Sequence, residues 1–215
     1  SSAASDVYKR QLMDTIQKTK NIIRKVLLVN FFLIANPVLA APEISFEFIA
    51  AELQRAETNP DHSVEILIPA PIDFVFGFLS QRLDEYIADA VAVEFDHADS
   101  KTEGEVDIGS IRKITLEDSN FLVQQFLRFD PFSGYAYLTD MERSSLDAPI
   151  AYSITTYNLS SPAVNETTLR VSVVYKPTTR LLGFFVRRVF NSAFKRDFEN
   201  AAQVISSEYE KMKVK

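Results

Sequence analysis

Any chemistry in this chain has to rest on a small set of side chains. There are two histidines, His62 and His97, and no cysteine. Disulfides, a thiolate nucleophile, a Cys-based zinc site and a lipid-anchored cysteine are therefore excluded, as is a three-histidine metal centre. Glycine-rich phosphate loops, Gly-x-Ser-x-Gly and His-Glu-x-x-His are also missing. A Ser/His/Asp triad would need one of the two histidines. His62 sits in a polar stretch ahead of the first strand and reads as solvated. His97 follows Phe95 in strand phase. Either it points inward, where its titration range suits a general base, or it ends the strand with a solvated or hydrogen-bonded ring.

Carboxylates are plentiful but unselective. From Asp84 to Asp107 the chain holds nine of them against the single Lys101. Glu103, Glu105 and Asp107 alternate, so an extended backbone could converge them on a cation, yet the spacing is not that of an EF-hand. The same residues make a solvated acidic hairpin. No two carboxylates are selected for the fixed separation that glycoside hydrolysis needs. Arg112 is more informative. With Ile108–Leu116 as a strand, Arg112, Ile114 and Leu116 share one face. An inward guanidinium needs an anionic or carbonyl partner from the protein or a ligand, whereas the opposite phase makes it a surface arginine. Gln124, Tyr137 and Tyr152 offer hydrogen bonds on neighbouring strands. No catalytic residue, metal site or cofactor is assigned.

The elements that must position these residues follow from periodicity. Ala41–His62 begins with strand-like alternation at Ile44, Phe46 and Phe48 but continues in helix formers, which predicts a helix ending before Asn59–Pro60. Val64–Ile68 is a strand stopped by Pro69, and Pro71–Tyr86 opens a helix with Val75, Phe76, Phe78 and Leu79 apolar. A run of strands follows: Val91–Asp96, with Val91, Val93 and Phe95 on one face, then Ile108–Leu116, Phe121–Phe129, Tyr135–Met141 and Ile150–Tyr157. In the last strand Leu169, Val171, Val173 and Tyr175 face one way, and Pro177 ends it. Thr178 or Thr179 then caps a long helix with Phe190, Phe194, Phe198, Ala201, Ile205 and Tyr209 down one stripe. An antiparallel sheet that must bury one face against one amphipathic helix is an α+β solution. Seventeen Phe, eight Tyr and no Trp make its interior a Phe-rich core or pocket.

The N-terminal region has a different character. Residues 1–11, SSAASDVYKRQ, resemble the translated end of a transposase-type sequencing-library adapter, which places the start at Met13. Residues 12–40 then carry Lys18, Lys20, Arg24 and Lys25, an apolar run over Val26–Ala35 broken by Asn30, and Val38–Ala41 with small residues. That is the pattern of a secretory signal cut after Ala40; an uncleaved membrane anchor is the alternative, although the run is short for a span. The first 40 residues hold six Lys/Arg and two Asp/Glu, so the remainder is more acidic than the whole chain at −6. Such a surface is unsuited to a phosphate backbone, and no nucleic-acid partner is expected.

The order of elements over residues 63–215, after an extension at 41–62, resembles the START-like, helix-grip (SRPBCC) superfamily of pollen-allergen-type proteins, polyketide cyclases and lipid-transfer domains. Val64-Glu-Ile-Leu-Ile-Pro-Ala-Pro-Ile-Asp73 looks like its opening strand and first helix, and Gly109-Ser-Ile-Arg112 like its Gly-x-x-Arg strand. Leu122–Asp130 is similar to its central strand and Thr179–Glu210 to its gripping helix. Gln124 stands where the cyclase-like branch has an acidic residue, and Leu83-Asp-Glu-Tyr86 where that branch has a Trp. The resemblance implies a curved antiparallel sheet wrapped around the long C-terminal helix, with a cavity between them.

The expected function is therefore that of an exported, periplasmic or secreted protein holding an apolar small molecule or lipid. Phe95, Arg112, Gln124, Tyr137, Tyr152, Phe190 and Phe194 are its candidate contacts. A cyclase or aromatase using the same cavity, with Arg112, Tyr137 or His97 polarising a carbonyl, and a ligand-free interaction module are the alternatives. Leu181–Arg188, apolar with adjacent cations, could touch a membrane transiently or simply pack. Oligomeric state has no signature. N-terminal sequencing of protein made in a secreting host should begin at Ala41; a full-length, membrane-retained product would identify an anchor instead.

Overall fold

The computed structural model describes residues 45–87 and 89–213; within the C-terminal helix the described side chains are Arg187 and those of residues 194–213. The adapter-like stretch, the export signal, the Phe190 side chain and most of Leu181–Arg188 lie outside these residues.

Helix α1 (Phe46–Thr58) starts where the Ser45 hydroxyl accepts the Phe48 N–H at 3.2 Å, and it stops before Asn59 as predicted. Strand β1 (His62–Ile68) leads into α2 (Ile72–Gln81) and a 3₁₀ turn (Leu83–Glu85). Six strands follow: β2 (Ala90–Asp96), β3 (Ile111–Leu116), β4 (Phe121–Asp130), β5 (Gly134–Asp140), β6 (Ile150–Ala163) and β7 (Glu166–Pro177). Helix α3 (Arg180–Lys213) closes the chain. The strands form one curved, seven-stranded antiparallel sheet in the order β1-β7-β6-β5-β4-β3-β2. Consecutive strands from β2 to β7 are neighbours, while α2 carries the chain from the β1 edge to the β2 edge.

Alternation along each strand sorts side chains to two faces. The concave face carries Val64 and Ile68 of β1, Leu169, Val171 and Val173 of β7, Tyr157 and Leu159 of β6, Tyr135 and Tyr137 of β5, Phe126 of β4 and Ile114 of β3. All of these except Val173, which clusters with Ile150 and Tyr175, share a cluster with α2 and with Ala201, Ala202 and Ile205 of α3. Phe198 of α3 meets Tyr157 edge-on, with ring centres 5.7 Å apart. Where its side chains are described, the predicted helical stripe is thus the one that packs on the core, with Ala201 and Ile205 buried and Phe194, Phe198 and Tyr209 half-buried.

The convex face is not bare. Phe48, Leu53 and Ala56 of α1 pack on Leu138, Tyr152, Ile154 and Val174. Polar ties pin the helix there: the Tyr152 hydroxyl donates to Glu52 at 3.1 Å, Arg128 pairs with Glu57 at 2.7 Å, and Arg55 pairs with Asp61 at 3.0 Å. The sheet is therefore the middle of three layers.

Bulges shift several expected phases. A register irregularity between Ala90 and Ala92 turns Val91 out to 56% exposure, so it does not share the face of Val93 and Phe95. Another between Phe126 and Arg128 lets both Phe126 and Phe129 reach Tyr135. Gly109 has φ +93°, and a Cβ there would lie 2.0 Å from the Asp99 carbonyl oxygen. Strand β3 accordingly starts at Ile111 rather than Ile108.

Ile205 is fully buried, whereas Phe194 is only half-buried. Ile205→Ala should lower stability by about 2–5 kcal/mol and Phe194→Ala by less. Denaturant midpoints of the two variants check this ranking; an unchanged midpoint for Ile205→Ala would mean the α3 stripe does not face the sheet.

Candidate functional site

The strand registers align concave side chains into rungs that cross the sheet. One rung runs Phe95, Arg112, Gln124, Thr139, Ser153, Tyr175 from β2 to β7. The next runs Phe126, Tyr137, Thr155, Val173, His62 from β4 to β1. A third holds Phe129, Tyr135, Tyr157, Val171 and Val64. The first rung is polar from Arg112 onward, and the third is almost wholly aromatic and aliphatic.

Arg112 is completely buried on the concave face. Its Nε and Nη2 donate to Gln124 Oε1 at 3.0 and 2.6 Å, and Nη1 donates to the Ser80 carbonyl at 3.3 Å. The guanidinium carbon stands 5.2 Å from the Phe126 ring centre and 5.0 Å from that of Tyr137. The acceptors the sequence demanded are thus protein groups. Gln124 passes the chain on, its Nε2 lying 3.5 Å from Thr139 Oγ1.

Ser80 belongs to the last turn of α2, whose carbonyls have no intrahelical partner. Those carbonyls point at the sheet. Leu79 O accepts from both the Tyr86 and Tyr135 hydroxyls at 3.0 Å each. A buried cation at a helix C-terminus is also favoured by the helix dipole. Burial pushes the Tyr86 phenol up and the Tyr135 and Tyr157 phenols well above their ordinary range, with Arg112 pulling the first two partly back. These tyrosines are neutral hydrogen-bonding groups at any ordinary pH.

At the other end of the wall, His62 is 7% exposed. Its Nε2 lies 3.2 Å from the Tyr175 hydroxyl, the two rings stack at 5.7 Å, and Phe194 is 6.4 Å away. The expectation of a solvated ring fails because β1 begins two residues before Val64. The alternation of Ile68, Ile66 and Val64 therefore carries His62 inward as well. His97 is half-buried, stacked on Phe95 at 5.9 Å, with Nδ1 3.1 Å from Ser110 Oγ. Ser110 in turn accepts the Asp107 N–H and donates to the Glu105 carbonyl, so this histidine ties down the β2–β3 loop. The Asp107 carboxyl is held below its usual range by Thr102 and by the Ile108 N–H. Among the described residues no three His, Asp or Glu side chains are placed to hold a metal ion.

Of the predicted contacts, Phe95, Arg112, Gln124 and Tyr137 meet on one wall, and Phe194 packs at its far end with Ile150, Val173 and Tyr175. Tyr152 does not join them. It stands on the convex face beneath α1, edge-on to Phe48 at 5.2 Å. With Tyr157 concave and no irregularity between 152 and 160, strict alternation sends Tyr152 outward. The same alternation brings in Ser153 and Thr155, which sequence reasoning passed over; the contact of Tyr157 with Phe198 fixes their phase.

Gln124→Leu should cost about 2–3 kcal/mol, since it strands two N–H groups of a buried guanidinium. Arg112→Met combined with Gln124→Leu should recover much of that loss. A double-mutant cycle by urea denaturation checks this; additive losses would mean the two side chains do not act as a unit.

The sequence matches no protein-family model and no curated protein. Solved structures do share its architecture. A START superfamily protein from Mycobacterium smegmatis superposes with a TM-score of 0.54 at 9% identity, over 70% of this chain and 97% of its own. The protein XoxI from Bacillus cereus gives 0.52 at 12% identity, over 71% and 96%. A norcoclaurine synthase from Thalictrum flavum gives 0.50 at 14% identity, over 71% and 94%. A curved seven-stranded sheet, a long C-terminal helix across its concave face and these likenesses together identify the fold: the chain has the helix-grip fold seen in START-like proteins.

Proposed function

We propose that this protein is exported and holds an apolar small molecule or lipid between the concave face of its sheet and α3. One observation carries the reading. Helix α3 meets the sheet along β1 and β7, while Val93, Phe95, Leu116, Leu122 and Phe129, apolar residues of β2–β4 on the same concave face, stay only half-buried. A concave apolar wall with a few polar groups set into it is the usual make-up of a small-molecule site. Phe95, Tyr137 and Phe194 supply apolar surface, and Gln124 supplies a fixed amide. Arg112 serves as a positioning residue that holds the Gln124 carbonyl. The export half of the reading rests on the basic, apolar, small-residue pattern of residues 12–40. Solved structures of the same fold support only the ligand-binding half, at the level of architecture, since one is described as a START superfamily protein.

Titration of the purified protein with the neutral fluorescent probe N-phenylnaphthylamine should give saturable, single-site enhancement, displaced by members of a panel of fatty acids, fatty alcohols and quinones. Native mass spectrometry should find mass in excess of the chain. A protein that unfolds cooperatively, yet binds nothing in the panel and carries no excess mass, would have its concave space filled by its own rings and would be an interaction module.

A further inference from the structure

Two hydroxyls on the concave wall are unaccounted for. Ser153 and Thr155 of β6 are 7% and 6% exposed, and neither side chain makes a hydrogen bond among the described residues. Both are on the inner face, since Tyr157, two residues on from Thr155, meets Phe198 of α3, and Tyr152 and Ile154 lie under α1. Their hydroxyl oxygens are not sealed in the core: among the described residues the fully buried polar side-chain atom without a hydrogen-bond partner is Arg128 Nε, so these two keep accessible surface on the inner face. Two in succession on one face, about 7 Å apart along the strand, are a pair of groups awaiting an occupant.

Their surroundings narrow its chemistry. Ser153 lies in register between Thr139 and Tyr175, and Thr155 between Tyr137 and Val173, which itself pairs with His62. Their flanking partners across the strands are neutral: threonine, tyrosine and valine. Among the described residues the sheet's concave wall carries one permanent cation, Arg112, which is completely buried and already engaged by Gln124 and Ser80. It also carries one histidine, His62, which lies beyond Val173 at the β1 edge and meets the Tyr175 hydroxyl. A carboxylate placed at Ser153 and Thr155 would lose its hydration without gaining a counter-charge there. A rival is Arg187 of α3, which is exposed and close enough to the Tyr175 phenol to pull partly back the rise in its pKa that burial causes. It could draw an acid toward the outer end of the wall.

We infer that Ser153 and Thr155 form a subsite for the neutral hydroxyl or carbonyl end of an apolar molecule, in preference to a free carboxylate. Either hydroxyl can donate to a carbonyl or accept from an alcohol, which suits both groups. The inference rests on the ligand-binding reading above and deepens it by naming the polar end of the ligand.

The test measures displacement of N-phenylnaphthylamine by decanol, decyl chloride and decanoate, for the natural protein and for the Ser153→Ala/Thr155→Val variant. Decyl chloride is close to decanol in shape but neither donates nor accepts strongly. Decanol should bind more tightly than decanoate to the natural protein. The ratio of decanol to decyl chloride affinity should fall by about three- to tenfold in the variant, the effect of a neutral hydrogen bond. The variant's unfolding midpoint verifies that it is folded, and Ser153→Ala alone serves if the double change impairs folding. Tighter binding of decanoate than of decanol, or an unchanged ratio in the variant, would overturn the subsite. Absence of saturable probe binding to the natural protein would instead overturn the ligand-binding reading itself.

Discussion

Turning the C-terminus of α2 into the concave face of the sheet is the constraint around which this domain is built. A helix end buried in a core needs donors for its last carbonyls. The sheet and the following 3₁₀ turn provide them from three directions: Tyr135 from β5, Tyr86 from just beyond the turn, and Arg112 from β3. A phenol brings one donor with a large apolar body, so Tyr86 and Tyr135 satisfy Leu79 while filling core space. Arg112 brings five donors and a charge, which explains why Gln124 and two aromatic faces gather around it. The polar rung and the aromatic rungs are two responses to one buried helix terminus.

Layering gives β6 an unusual burden. Its even-numbered residues Tyr152 and Ile154 serve the contact with α1, and its odd-numbered residues Ser153, Thr155 and Tyr157 face α3. A sheet covered on one side shows alternation of apolar and polar residues, but a middle layer has no solvent face to mark its phase. Burial is accordingly near-continuous along β6 and β7, and only the contacts to the flanking helices tell the two faces apart.

This explains what could be read from the sequence. The order of elements and the inward stripe of α3 around Ile205 followed from periodicity, because the α3 pattern has a recognisable apolar side. Periodicity left two phases open for Arg112, and its burial with bonds to Gln124 and Ser80 decides for the inward one. Tyr152, expected at the cavity, lies on the opposite face, because the composition of Ile150–Tyr157 does not by itself distinguish a face turned to α1 from one turned to α3. His62 was misjudged because its polar neighbours mask a strand start that only pairing with Val173 establishes. Ser153 and Thr155 escaped notice because hydroxyls in a strand are ordinary, and what distinguishes these two is the lack of partners, a property of the packed state. Val91 looked like the first member of an apolar face because a bulge leaves no signature in a run of Ala and Val.

That bulge has a consequence for the molecule's dealings with its own kind. β2 is the sheet's outermost strand opposite β1, and among the described residues no further strand pairs with its outer row of backbone donors and acceptors. An open, flat edge of this sort is a template on which a second chain can add a strand. Here the row is short, kinked at Val91, and flanked by the outward carboxylates of Glu94 and Asp96. An incoming strand would find its ladder broken after a few residues and would meet negative charge on an already acidic protein. The irregularity that defeats pattern reading along β2 is thus also a guard against edge-to-edge self-association.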